Sequence, residues 1–158
     1  MTNTTIEDIR IEAFNGNPAV ITDLLLLADP SQKAIDGYIE RCSIFILWHR
    51  GRAIGVAALQ AHSSHGAEIM NLAVAPDFQG RGLGRLLLQH CCRVARENGC
   101  RSIAIATANS SIGQLRLYQQ EGFEMHELRR NFFLDAYAEP IFEDGIQAKH
   151  SILLLKTF

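Results

Sequence analysis

The sequence predicts a single α/β domain spanning residues 1–158, in which a mixed sheet carries helices on both faces. Three observations lead there. The element order reads β-α-α-β-β-β-α-β-α-β-β, a glycine-rich junction joins an apolar strand directly to an amphipathic helix, and no repeat or low-complexity linker divides the 158 residues.

Each element has a local cause. Ile9 to Ala13 reads as a first strand, and Pro18 to Ala28 as a helical stretch with apolar Val20, Ile21, Leu24, Leu25 and Ala28. Asp29 suits an N-cap and Pro30 a first turn, so Ser31 to Arg41 reads as a second helix. Ser43 to His49 and Ala53 to Ala61 are β-rich runs whose separator, Arg50-Gly51-Arg52, predicts a hairpin, and Ala67 to Ala75 continues the meander. After the junction, Leu83, Leu86, Leu87, Cys91, Val94 and Ala95 recur with a helical period, and Asn98-Gly99 supplies a left-handed stop. Ser102 to Thr107 is an apolar strand. Ser111 and Gln114 fit a capping box for a helix from Ser111 to Gln120 that Gly122 ends, and Phe123 to Leu128 and Ser151 to Lys156 supply the late strands.

Composition removes several function classes. At 47% hydrophobic and 20% charged residues, the chain has the make-up of an ordinary globular domain, and a net charge of −2 gives no general attraction to nucleic acid or an anionic membrane. No apolar run reaches the length of a membrane span, and the polar start MTNTTIEDIR lacks a signal-peptide core, so a cytoplasmic location is expected. Cys42, Cys91, Cys92 and Cys100 form neither a C-x-x-C pair nor a Cys/His zinc pattern, which fits a reducing compartment and no metal. His62 and His65 stand in a predicted turn, HSSH, as solvated side chains rather than ligands.

The junction AVAPDFQGRGLGRLL carries the functional signal. Glycines let backbone N–H groups approach a ligand, and a helix N-terminus presents unpaired donors and partial positive charge, so the expected ligand is a pyrophosphate. A Walker loop would need Gly-Lys-Ser/Thr where Arg85-Leu86 stands, and the dinucleotide fingerprint would need glycine at Arg85, so neither fits. The spacing Gln79-x-x-Gly82-x-Gly84 resembles the acetyl-coenzyme A loop of the GNAT N-acetyltransferase superfamily. The resemblance extends from about Ser43 to Met125 and includes the segment ending LYQQEGF. FFLDAYAEPIFEDGIQ is similar to the tail of a small group of uncharacterised bacterial members.

That resemblance implies a mixed, mostly antiparallel central sheet, acetyl-CoA as co-substrate, and an amine-bearing acceptor. It places Leu72, Ala73 and Val74 on the strand that meets the pantetheine arm, with the Val74 N–H polarising the thioester carbonyl. Gln79, Gly80, Arg81, Gly82, Leu83 and Gly84 direct backbone donors at pyrophosphate oxygens, each charge-assisted bond being worth roughly 1.5 to 3 kcal/mol. The Arg81 and Arg85 side chains either add charge there or stay solvated. Tyr118 matches the tyrosine near the coenzyme sulfur. Its reference pKa of about 10 lies above a thiol's, about 8.5, so full proton transfer is uphill by roughly 2 kcal/mol and hydrogen-bond stabilisation of the thiolate is preferred. Asn109 matches a coenzyme-contacting position, with helix capping as the alternative. Glu68 matches a catalytic glutamate, acting as a base through water or directly with a raised pKa, or only binding the cation, and Asn71 is a lesser candidate for holding that water.

The chain departs from the compact pattern after Leu128, where Arg129 to Lys149 replaces a short link. This segment carries Asp135, Glu139, Glu143 and Asp144 beside Tyr137 and Phe142, and reads as an acceptor pocket, a solvated acidic loop or a homodimer contact. The expected activity is transfer of an acetyl group to a primary amine of a small molecule or peptide by direct attack. The alternative expectation is an acyl-CoA-binding sensing module without efficient turnover.

Overall fold

The computed structural model describes residues 8–62 and 65–158; the start of MTNTTIEDIR and the centre of HSSH lie outside them. Among the described residues, a seven-stranded sheet has the order β1-β2-β3-β4-β5-β9-β6 and is flanked by helices. Its strands are β1 (Ile9–Phe14), β2 (Cys42–His49), β3 (Arg52–Ala61), β4 (Gly66–Val74), β5 (Ser102–Ala108), β6 (Glu124–Arg129) and β9 (Ser151–Thr157). A separate small hairpin joins β7 (Phe142–Glu143) to β8 (Ile146–Gln147). The helices are α1 (Thr22–Ala28), α2 (Gln32–Tyr38), α3 (Leu83–Glu97), α4 (Ile112–Gln120) and α5 (Phe132–Ala136). The sheet is mixed and mostly antiparallel, with β4 and β5 parallel.

The chain forms two compact units, and β4 and α3 run through both. The first comprises Met1–Gln60 and Met70–Cys91. In it β1 pairs with β2 and β2 with β3, the latter through Arg50 and Gly51, whose φ angles of 48° and 80° make the left-handed two-residue turn that matches strand twist. The helical stretch begins as a 3-10 turn, Pro18–Ile21, capped by Asn17, before α1 takes over. The α2 cap differs from the expected Asp29: Ser31 accepts from the Ala34 N–H at 3.1 Å, while Asp29 accepts from the Ser31 N–H. A hydroxyl directly preceding the helix reaches its third N–H better than a carboxylate two residues further back. Leu25, Ile35 and Ile46 are fully buried in this unit's core, and burial of each such side chain stabilises by about 1.5 to 3 kcal/mol.

The second unit comprises Ala61–Ile69 and Cys92–Phe158. Here the start of β4 pairs with β5, β5 with β9, and β9 with β6, which forms the sheet edge. The α3 stop matches its sequence signal. Gly99 has φ of 84°, the Cys100 N–H reaches the Ala95 carbonyl, and the Gly99 N–H reaches Arg96, a Schellman closure. The α4 cap is corrected. Ser111 makes no side-chain cap bond, because its hydroxyl donates to the Glu143 carboxylate at 2.9 Å. The segment after Leu128 holds α5 and the β7–β8 hairpin, which turns through Asp144 and Gly145 at φ of 50° and 76°. No helix among the described residues is long and apolar enough to cross a membrane.

Candidate active site

In the first unit, the sequence signal resolves into a strand end, a loop and a helix start. The β4–β5 ladder runs from Gly66 to Ile69, so Leu72, Ala73 and Val74 lie beyond its end. The Ala75 N–H donates to the Ile54 carbonyl of β3. Successive N–H groups of an extended chain point to opposite edges, which turns the Val74 N–H away from β3. A 3-10 turn, Pro76–Phe78, leads into the loop, whose Gly80 and Gly82 have φ of 76° and 80°. A Cβ at either glycine would meet nothing within 4 Å, so the left-handed backbone, not crowding, demands glycine. Gly80, Arg81 and Gly82 are exposed, and the Leu86 N–H is bonded to the Gly82 carbonyl, opening the ladder of α3. The Leu83 and Gly84 N–H groups precede that bond, as an anion-binding helix start requires.

Two residues of the loop make contacts that spacing alone does not reveal. The Gln79 N–H closes on the Pro76 carbonyl at 3.4 Å and its side chain donates to the Val74 carbonyl at 2.9 Å, so Gln79 ties the loop to the strand end. Arg81 is exposed; its guanidinium donates to the Asp77 carbonyl and lies 5.2 Å from the centroid of Phe78. Arg52 pairs with Asp77 through two bonds of 2.8 and 3.2 Å and also lies over Phe78. That fork holds the Asp77 carboxyl below its ordinary range. Arg85, on the first turn of α3, is half-buried.

Asn71 is buried under α1 and α2 in the same unit. Its amide donates to the Leu25 carbonyl at 2.9 Å and to the Tyr38 hydroxyl at 3.0 Å, leaving Oδ1 a buried acceptor with no protein donor. The carbonyl at Leu25 can only accept, so the orientation of the amide is fixed. Tyr38 in turn donates to Asp29 at 3.5 Å. Burial pushes the Tyr38 phenol up to about 12, opposed by the Asn71 bond and reinforced by the Asp29 charge. The unfolded value is about 10, so the stability from this shift is complete below that pH and lost as pH rises towards 12. Tyr38→Phe is therefore expected to flatten the fall in urea midpoint across that alkaline window without abolishing it. Burial also raises Tyr118, and its contribution has the same sign.

The second unit holds Tyr118 and Glu68. Tyr118 lies on α4, 4% exposed, with its ring 6.3 Å from that of Phe123. Burial drives its phenol well above the ordinary tyrosine range. Glu68 lies on β4 opposite Ala104, and its carboxylate is 3.6 Å from His62 Nε2. The His62 side chain is 43% exposed, and its approach to Glu68 is a contact that sequence spacing did not reveal. The Asn109 side chain is committed within the chain. Its Oδ1 accepts from the Lys149 and His150 N–H groups at 2.8 and 2.9 Å, and its Nδ2 donates to the Gln147 carbonyl. It tethers the segment after Leu128 rather than capping α4. Ser110 and Ser111, both donating to Glu143, complete that tether.

A strand end with a directed N–H, an exposed glycine loop and a helix N-terminus make a donor set suited to an anionic ligand on an α/β fold. The model of the acetyltransferase (GNAT) family matches residues 13–123, and the chain belongs to that family of N-acetyltransferase enzymes. It is 38% identical over 149 residues to an uncharacterized N-acetyltransferase, YvbK, of Bacillus subtilis, covering 94% of this chain and 96% of that protein. A GNAT family acetyltransferase from Elizabethkingia anophelis, solved with acetyl-CoA bound, superposes with a TM-score of 0.91 at 38% identity, covering 96% of this chain and 99% of that one. A Bacillus subtilis acetyltransferase in complex with CoA gives a TM-score of 0.90 at 38% identity, again over 96% of this chain and 99% of that one.

Proposed function

We propose that this chain, as one domain, transfers the acetyl group of acetyl-CoA to a primary amine of a small molecule or peptide by direct attack. The observation that carries the reading is the β4 end: a Val74 N–H turned away from β3, followed by exposed left-handed glycines and the start of α3. This donor set fits a coenzyme that offers a thioester carbonyl and, further along, a pyrophosphate. Acetyl-CoA supplies the activated acetyl group. The Val74 N–H stabilises negative charge developing on the carbonyl oxygen, and the loop and α3 N–H groups hold the phosphates. Glu68 takes the proton that the attacking ammonium must lose, directly or through water. Tyr118 donates a hydrogen bond to the departing sulfur and keeps its own proton; as the carbon–nitrogen bond forms and the carbon–sulfur bond breaks, the second proton lost by the nitrogen passes to the thiolate to give the free thiol, and Glu68 returns the first to solvent.

Acetyl-CoA-dependent thiol release across a panel of polyamines, amino acids and short peptides tests the reading, with amine-free hydrolysis subtracted. Amine-dependent release is expected for at least one class. Saturable coenzyme binding with no release for any class would overturn it. Gly82→Ala places a Cβ on a left-handed backbone at the cost of about 1 kcal/mol and shifts the loop N–H groups, so acetyl-CoA affinity by calorimetry is expected to fall about tenfold.

A further inference from the structure

The second unit exposes a sheet edge whose chemistry is complementary to itself. β6 is the last strand in the sheet order, and all six of its residues are exposed. Native proteins normally blunt such an edge, and a bulge between Met125 and Glu127 does so for its first half. Glu127, Leu128 and Arg129 beyond the bulge remain regularly paired with β9. Leu128 is 55% exposed, and Glu127 and Arg129 form an exposed ion pair at 3.4 Å.

Reading Glu-Leu-Arg against its own reverse places Glu opposite Arg, Leu opposite Leu and Arg opposite Glu. A two-fold axis at Leu128 therefore sets two opposite-charge pairs around one apolar pair, the arrangement an isologous interface requires. Three residues alone are too small for a specific interface. Around them in sequence, Met125, Phe132, Leu134, Phe142 and Ile146 are each at least 40% exposed, which gives this unit further apolar surface.

We propose that a second copy of the chain pairs antiparallel along β6, with Leu128 facing Leu128 and Glu127 facing Arg129 across the axis. The occupant is a second copy because the pattern complements itself; an unrelated partner has no reason to match it. The inference is independent of the acetyltransfer reading.

Sedimentation velocity across micromolar concentrations tests it on wild type, Glu127→Arg and Arg129→Glu. Wild type is expected to dimerise. Each single reversal puts like charges opposite each other twice per dimer and is expected to weaken dimerisation about tenfold or more. An equimolar mixture of the two variants restores both opposite-charge pairs across the axis, and is expected to dimerise within about threefold of wild type. Repair within one chain cannot produce that recovery. Both residues are exposed, so thermal melts of the variants are expected to match wild type and exclude misfolding. A monomeric wild type, a dimer indifferent to both reversals, or a mixture that stays as weak as its components would overturn the proposal.

Discussion

Tyr118→Phe is expected to lower kcat by roughly 100-fold while leaving acetyl-CoA affinity within about threefold. The substitution keeps the ring that packs near Phe123 and removes only the hydroxyl. If Tyr118 were a packing residue alone, kcat would not move. A phenol is too weak an acid to protonate a thiolate outright. Burial makes full transfer still less favourable, because it penalises the phenolate. A phenol that keeps its proton remains a donor across the working pH range, and a donor aimed at developing charge in a dry site is worth more than one in water. The role assigned is therefore a hydrogen bond that strengthens as the carbon–sulfur bond breaks. Single-turnover thiol release with saturating coenzyme, set beside calorimetric binding, separates the loss in chemistry from any loss in binding.

The parts legible in the sequence are those whose cause is local. Gly80, Gly82 and Gly99 adopt left-handed backbone where their neighbours require it, and α3 forms where the apolar period places a helix, although its buried face takes Leu88 and Cys92 while Leu86 of the expected stripe is 45% exposed. What sequence order could not show are bonds between residues far apart in the chain. Asn109 offers a cap by position, yet nearly forty residues on, three backbone groups of the segment after Leu128 take all its side-chain bonds. Ser111 looks like half of a capping box, yet Glu143 provides a charged acceptor, and a charge-assisted bond outcompetes a neutral cap. Asn71 finds Leu25 and Tyr38 across dozens of residues. In each case a side chain able to satisfy the backbone locally finds a better partner through the tertiary fold.

Glu68→Gln is expected to lower kcat/KM for the acceptor by about 100-fold or more at pH 7, with a deficit that shrinks as pH rises. A primary amine with pKa of about 10 is roughly one part in a thousand free base at pH 7. A base that removes the ammonium proton spares the enzyme from waiting for that fraction. Without it, turnover depends on free amine already present, which grows about tenfold per pH unit until the amine titrates. A carboxylate that merely bound the cation would behave differently. Its loss would raise KM, and because the ammonium is the species bound, the deficit would not narrow towards alkaline pH. His62, 3.6 Å from the carboxylate, makes the control specific, since His62→Gln removes the neighbouring imidazole while leaving the base in place. The profile stays readable to about pH 9.5, short of the range where Tyr38 and Tyr118 begin to cost stability. A constant deficit between pH 7 and that limit would transfer Glu68 from proton removal to cation binding.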